Sequence, residues 1–275
     1  MNRKFQDLHN DEDIKSENDF LKMKMMLERG AEFGSVTDLD PEMENAFLRS
    51  VMAFEEQMES DKKIRLYDKI DKPLIFKPVA EVSDGEIEAA LDCLLNWLSE
   101  YGIEVSVCNP AISQHELYRF IIEELFEFEI DDIDLPGWVN SFCYDEFHPD
   151  AAYETSTAAE DDCIRQILNK DPFDWLTHFK EGHIRLNGHC KLTEEEFKMR
   201  INNFKNAYDE IVSNGISEVK CEIKENTSIV TGNYSVQLTH AGQKQLLTGK
   251  WLVAFETDDH FYWYINNVQL DGIDF

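Results

Sequence analysis

The chain lacks most of the signatures that announce chemistry. Its 275 residues contain no C-x-x-C pair, no glycine-rich phosphate loop and no G-x-S-x-G nucleophile elbow. Long hydrophobic runs are missing too. The longest, such as 120–125, are interrupted by glutamates well short of the ~20 residues needed to cross a bilayer. Residues 1–10 have neither the apolar stretch nor the small-residue cleavage site of a secretory signal, so a cytoplasmic location is expected. The six cysteines (Cys93, Cys108, Cys143, Cys163, Cys190 and Cys221) are scattered, and in such a compartment they read as reduced thiols, several of them buried. The one Cys/His neighbour pair, His189-Cys190, lacks the paired spacing of a zinc site, so no metal and no cofactor are expected.

Basic residues are also scarce: 26 Lys and Arg face 56 Asp and Glu, a net charge of −30. The deficit is uneven. Residues 1–150 carry 14 basic and 36 acidic groups, whereas 151–275 carry 12 and 20, and residues 101–150 hold Arg119 alone against twelve acids. Binding nucleic acid or an anionic membrane requires a basic footprint, so both are excluded as partners. Acidity of this kind maintains solubility, and where it serves recognition the matching partner is a basic protein or a cation.

What is present suits folded domains: 43% apolar and 30% charged residues, on a chain long enough for two cores. Residues 11–29 read as a helix with Leu21, Met25 and Met26 on one face and Gly30 as its stop. Asp40 and Pro41 begin a second, whose stripe Phe47, Leu48, Val51, Met52, Phe54 and Met58 is expected to pack on something. A basic patch, Lys62, Lys63 and Arg65, is followed by an extended stretch at 74–76 between Pro73 and Pro78. Capping boxes Ser83-x-x-Glu86 and Ser113-x-x-Glu116 open helices with Ile87, Leu91, Leu94, Leu95 and Leu98, and with Leu117, Phe120, Ile121 and Leu125, turned inward. Between them Ile103, Val105 and Val107 alternate as a strand. Residues 150–162 show no apolar periodicity and mark the domain boundary.

Beyond it the sequence predicts a helix at 159–169, an aromatic segment with Phe173, Trp175 and Phe179, and a long helix opened by Thr193-x-x-Glu196 with Phe197, Ile201, Phe204, Tyr208 and Ile211 on one face. Four strands follow over 216–270, separated by turns at Glu225-Asn226, Ala241-Gly242 and Asp258-Asp259. Gly232 and Gly249 suggest bulges or bends. The last strand reads as apolar on both faces: Tyr262, Tyr264, Val268 and Leu270 oppose Phe261, Trp263 and Ile265.

Helices followed by a meander carrying Gly249-Lys250-Trp251-Leu252-Val253, then Trp263-Tyr264-Ile265 and Val268, resemble the C-terminal half of the NTF2-like (cystatin-like cone) superfamily. The resemblance covers about 155–275 and implies a cone of helices packed on a curved antiparallel sheet, but no single activity, because that scaffold hosts enzymes, transport factors and oligomerisation modules. Residues 70–150 resemble uncharacterised bacterial sequences, with no function to carry over. The expected fold is therefore α+β: an acidic, mainly helical domain over 1–150 with one or two short strands, and the cone domain over 155–275.

The cone implies a cavity between sheet and long helix. Trp175, Phe179, Phe204, Trp251 and Tyr264 are candidates to line it, with His178 as a general base and Tyr208 or Tyr234 as hydrogen-bond donor to a developing oxyanion in an isomerase or hydrolase. Aromatics at helix and strand spacing are more often core, so a non-enzymatic binding or interaction role is favoured, with a protein partner or a small apolar ligand. The doubly apolar last strand adds an expected homodimer through the C-terminal sheet. Two features of the first domain carry site-like residue types. The acidic run 123–134, with His115-Glu116 before it, has oxygen ligands, but Arg119 stands where a second helical His would be needed, so it reads as a solvated face. Asp145-Glu146-Phe147-His148-Pro149 with Leu135-Pro136-Gly137-Trp138 offers an acidic and aromatic partner surface.

Overall fold

The computed structural model describes residues 3–34, 39–59, 62–174, 182–257 and 262–275. Trp175, His178, Phe179, Phe261 and the turn at Asp258-Asp259 lie outside them. The chain divides into two compact units, Met1–Phe147 and His148–Phe275. Among the described residues no helix is long and apolar enough to cross a membrane.

The first unit begins with helices α1 (Arg3–Arg29) and α2 (Pro41–Glu59). Asp40 caps α2 as expected, its carboxylate accepting the N–H groups of Glu42 (2.9 Å) and Met43 (3.3 Å). The pair is joined by a polar lock. Buried Asn18 donates to the Pro41 carbonyl (2.9 Å) and the Glu44 carboxylate (3.0 Å), and its own oxygen accepts from Asn45 (2.8 Å). The apolar stripe of α2 is wider than α1 can cover: Leu48 is buried, but Phe47 and Met58 are exposed, as is Met26 on α1.

The rest of the unit comprises β1 (Lys63–Arg65), α3 (Leu66–Lys69), α4 (Ile87–Glu100), β2 (Ile103–Ser106), α5 (Gln114–Glu123), β3 (Glu129–Asp131), β4 (Asn140–Cys143) and α6 (Tyr144–Phe147). Among the described residues four strands stand where one or two were expected, in two pairs, β1–β3 antiparallel and β2–β4 parallel. Strands of three or four residues are too short for alternation to show. Ile87, Leu91, Leu94 and Leu98 are buried, as the α4 spacing predicts. Ser113 caps α5, accepting from the Glu116 N–H at 3.1 Å. Ser83 and Glu86 do bond to each other (2.7 Å), but within a turn ahead of α4, which starts at Ile87.

In the second unit, α7 (Ala151–Thr157), a π-helical stretch (Ala158–Ile164) and α8 (Arg165–Ile167) run on end to end. The segment read as a boundary is thus helical, with Asp150 as N-cap accepting from Ala152 and Tyr153. Its buried positions are Thr155, Ala158 and Ala159, side chains too small or polar to register as apolar periodicity; the larger buried residues of the run, Ile164 and Ile167, come after it. Next come β5 (Ile184–Leu186), β6 (His189–Leu192), α9 (Glu194–Asn206) with its complete Thr193/Glu196 capping box, and the long strands β7 (Glu210–Lys224), β8 (Thr227–His240), β9 (Gln243–Thr257) and β10 (Trp263–Leu270). The helix is shorter than expected, and Ile211 belongs to β7. The sheet order is β6-β5-β10-β9-β8-β7, antiparallel except where β5 meets β10. Two-residue turns at Glu225-Asn226 and Ala241-Gly242 join β7 to β8 and β8 to β9, with Glu225, Ala241 and Gly242 at positive φ, as tight hairpins require.

Two strand expectations change. First, β8 and β9 stay in unbroken register through Gly232 and Gly249; the bulges lie in β7 and β10. The glycines make room for aromatics instead. A Cβ on Gly232 would stand 2.7 Å from the Trp251 ring opposite, and one on Gly249 would stand 2.6 Å from the Asp271 carbonyl oxygen and 2.9 Å from the Tyr234 ring. Second, β10 is not apolar on both faces. Its register slips between Ile265 and Asn267, so Trp263 and Ile265 before the bulge and Val268 and Leu270 after it all enter one core.

Candidate functional site

Residues at the inner face of the sheet meet α9 and the α7–α8 helix. Phe204, Tyr234 and Trp251, three of the cavity candidates, come together there, but as core: they are 7%, 2% and 2% exposed. The Tyr234 hydroxyl donates to the Asp271 carbonyl, and burial pushes its phenol up to about 12, far from a group poised to move protons near neutrality. Its sign predicts a pH effect. With the folded value above the unfolded one, the folded state holds the proton longer, so stability is intact below pH 10 and falls as pH rises toward 12. Tyr234→Phe is expected to cost about 1–2 kcal/mol at pH 7 and to remove that alkaline slope, read by urea denaturation across the window.

Tyr208 is half-buried at the edge of this core, its ring 5.4 Å from Phe204 and 6.4 Å from the His240 ring. Tyr264 does not line the interior. It lies between inward-facing Trp263 and Ile265, so it points to the opposite face, where its ring meets that of Tyr262 at 4.9 Å, tilted by 57°.

A functional-looking group that the sequence reading missed is Lys205. It sits four residues after Ile201 and eight after Phe197, on the buried stripe of α9, and is 2% exposed. Its ammonium donates to the Gln166 carbonyl (2.6 Å), the Asn169 side chain (3.1 Å) and the Asp171 carbonyl, and burial lowers it to about 8. Lys170 reciprocates, donating to the carbonyls of Lys205 (2.8 Å) and Tyr208 (2.7 Å) beyond α9. Lys205 thus meets carbonyls at and beyond the C-terminal end of α8, and Lys170, three residues past α8, meets those at the end of α9, where cations are favoured.

The outer face of the same sheet carries a groove of about 310 Å³, walled by Glu218 and Lys220 of β7, Thr231 and Asn233 of β8, Lys250 and Leu252 of β9, and Gln269 and Asp271 at the end of β10. Asn233 donates to Glu218 at 2.7 Å. Two cations and two carboxylates line it, a local balance within a strongly acidic chain. Ile229, Ala254 and Tyr264 share this face, partly or fully exposed.

In the first unit the acidic run is tied up by cations. Arg119 holds Glu116, Glu123 and Glu124, the basic patch reaches the run through Lys63 on Asp131 (2.5 Å) across the β1–β3 pair and Arg65 on Glu127 (3.0 Å), and Lys69 of α3 holds Asp132 (3.1 Å). The partner surface around Trp138 divides. Phe147 packs against Phe120, Phe128 and Phe142, whereas Trp138 stays 37% exposed beside Phe54. One of the six cysteines, Cys163, is buried, and the others are exposed or half-buried, fewer in the core than expected. His189 and Cys190 are neighbours on a strand and contact different groups, Arg200 and the Gly188 carbonyl.

No family model and no curated protein matches the chain. Solved structures do. An NTF2-like superfamily protein from Salmonella enterica is 13% identical with a TM-score of 0.38, the match covering 45% of this chain and 92% of that one. An NTF2-like protein from Cytophaga hutchinsonii is 14% identical with a TM-score of 0.32, covering 44% and 98%. The Kfla4162 protein from Kribbella flavida is 12% identical at 0.34, covering 43% and 90%. The chain itself is α+β, and at these identities and TM-scores the matches are similarities only, from which no family and no activity follows.

Proposed function

We propose that this protein is a cytoplasmic, non-enzymatic interaction protein whose C-terminal unit pairs with a second copy through the outer sheet face. The observation that carries the reading is the contrast between the two faces. The inner aromatics are consumed by packing, whereas the outer face offers a groove with two lysines and two carboxylates beside partly exposed Ile229, Leu252, Ala254 and Tyr264. A patch with equal numbers of opposite charges can face its own copy around a two-fold axis, matching plus to minus, although the chain as a whole repels itself. The acidic 1–150 domain is then left to meet a basic protein partner.

Sedimentation velocity of the full chain at micromolar concentration tests this. The wild type is expected as a dimer, and Leu252→Asp, which puts a charge into the middle of the face, is expected to weaken it at least about 30-fold, roughly 2 kcal/mol. A wild type that sediments as a stable monomer sinks the reading.

A further inference from the structure

The parallel pairing of β2 with β4 has a chemical consequence in the first unit. Ser106 stands opposite Cys143, so two residues past Ser106 the chain sets Cys108 beside the start of α6, which carries Asp145. The Cys108 and Cys143 sulfurs are 3.7 Å apart, the Cys143 sulfur is 3.6 Å from Asp145 Oδ2, and ligand atoms of all three residues lie within 4.8 Å of one another. We propose that Cys108, Cys143 and Asp145 form a binding site for a thiophilic divalent cation of the zinc class, with a fourth position open to water.

Three observations support it. Tetrahedral zinc, with Zn–S of about 2.3 Å and Zn–O of about 2.0–2.2 Å, requires S···S and S···O edges of about 3.8 Å and 3.6 Å; the Cys108–Cys143 and Cys143–Asp145 separations match two of these edges, and the third pair is within 4.8 Å. A disulfide, by contrast, needs its sulfurs about 2.05 Å apart. The carboxylate is also oriented in advance. Asp145 Oδ2 accepts the Cys108 N–H at 2.6 Å and Oδ1 accepts the Asn109 N–H at 3.2 Å, the kind of outer support that holds metal ligands in place. Finally, Cys108 is exposed while Cys143 and Asp145 are half-buried, which leaves an entry path, and residues 101–150 carry twelve acids against one base, a field that concentrates cations. Loading balances as one M²⁺ plus two thiols and one carboxylate giving two M–S bonds and one M–O bond, with two protons released to solvent.

Cobalt(II) titration of the reduced, metal-free, untagged full chain is the test. One Co²⁺ per chain is expected, with thiolate-to-cobalt charge-transfer absorption and intense tetrahedral d–d bands, both abolished by added Zn²⁺. Cys108→Ser and Cys143→Ser should each lose the charge-transfer intensity and weaken binding more than about tenfold, and Asp145→Asn should weaken it about tenfold with the sulfur band retained. Cys190→Ser, which alters an exposed thiol on β6, should change nothing. Circular dichroism confirms that each variant is folded. Absence of the band in the reduced wild type overturns the proposal, as does a band that survives both serine variants. So does a sample in which mass spectrometry finds only a Cys108–Cys143 disulfide and the reduced form takes up no cobalt.

Discussion

Trp251→Ala is expected to lower the stability of the C-terminal unit by about 3–5 kcal/mol, because it empties a large volume in a core with little freedom to collapse. The indole is 2% exposed and lies across Gly232, where even a methyl group would collide with it. The same ring carries a defect that makes the test sharper. Its Nε1–H is buried and meets no acceptor among the described residues. A buried donor left without a partner costs about 1–3 kcal/mol, so Trp251→Phe, which removes that donor along with some packing, should cost far less than alanine, about 1 kcal/mol or below. Urea denaturation followed by far-ultraviolet circular dichroism separates the two variants. An alanine variant as stable as the wild type would mean that the indole is not part of the core, and the packed-interior reading would fail with it.

The second large effect concerns Lys205. Lys205→Met keeps the side-chain length and removes the ammonium, leaving the carbonyls of Gln166 and Asp171 and the Asn169 side chain without their donor. The expected loss at pH 7 is about 2–4 kcal/mol, moderated by the desolvation that the wild type no longer has to bear. The pH dependence identifies the cause. Burial holds Lys205 at about 8 against 10.5 for an ordinary lysine, so between those values the unfolded chain binds the extra proton. Wild-type stability should therefore gain from this group as pH rises from 8 to 10.5, and the methionine variant should lack that gain. A variant whose deficit is the same at pH 7 and pH 10 would show that the ammonium is not buried. Tyr234 titrates in the opposite sense at higher pH, which keeps the two contributions apart.

Much of the secondary structure could be read directly. The Asp40, Ser113 and Thr193 caps, the leucine spacing of α4 and the tight turns of the meander are local signals, carried by residues within a few positions of one another. The errors share one origin. In β10 the two apolar parities looked like two apolar faces, because a bulge that slips the register leaves no mark in the pattern itself. Over 150–162 the helix hides its buried face in Thr155, Ala158 and Ala159. Nothing in the sequence marks Lys205 as buried, because charge argues for exposure unless carbonyl acceptors are waiting, and these come from residues 34 to 39 positions away.

The candidate sites divide in the same way. The aromatics of the meander were found from their spacing, but only packing decided that Phe204, Tyr234 and Trp251 fill the interior while Tyr264 turns outward. The cysteine pair leaves no mark in the sequence, because zinc spacing shows only where ligands are close along the chain, whereas Cys108 and Cys143 are 35 residues apart and meet through a parallel strand pair. By itself the sequence determined the charge, the α+β class, the helix starts and the hairpin turns, since each depends on composition or on neighbours along the chain. Register, the exchange of lysines between helix ends, the burial of Phe204, Tyr234 and Trp251 and the convergence of two sulfurs on one carboxylate were decided only in the tertiary structure. They depend on distances between residues far apart in sequence, which periodicity cannot measure.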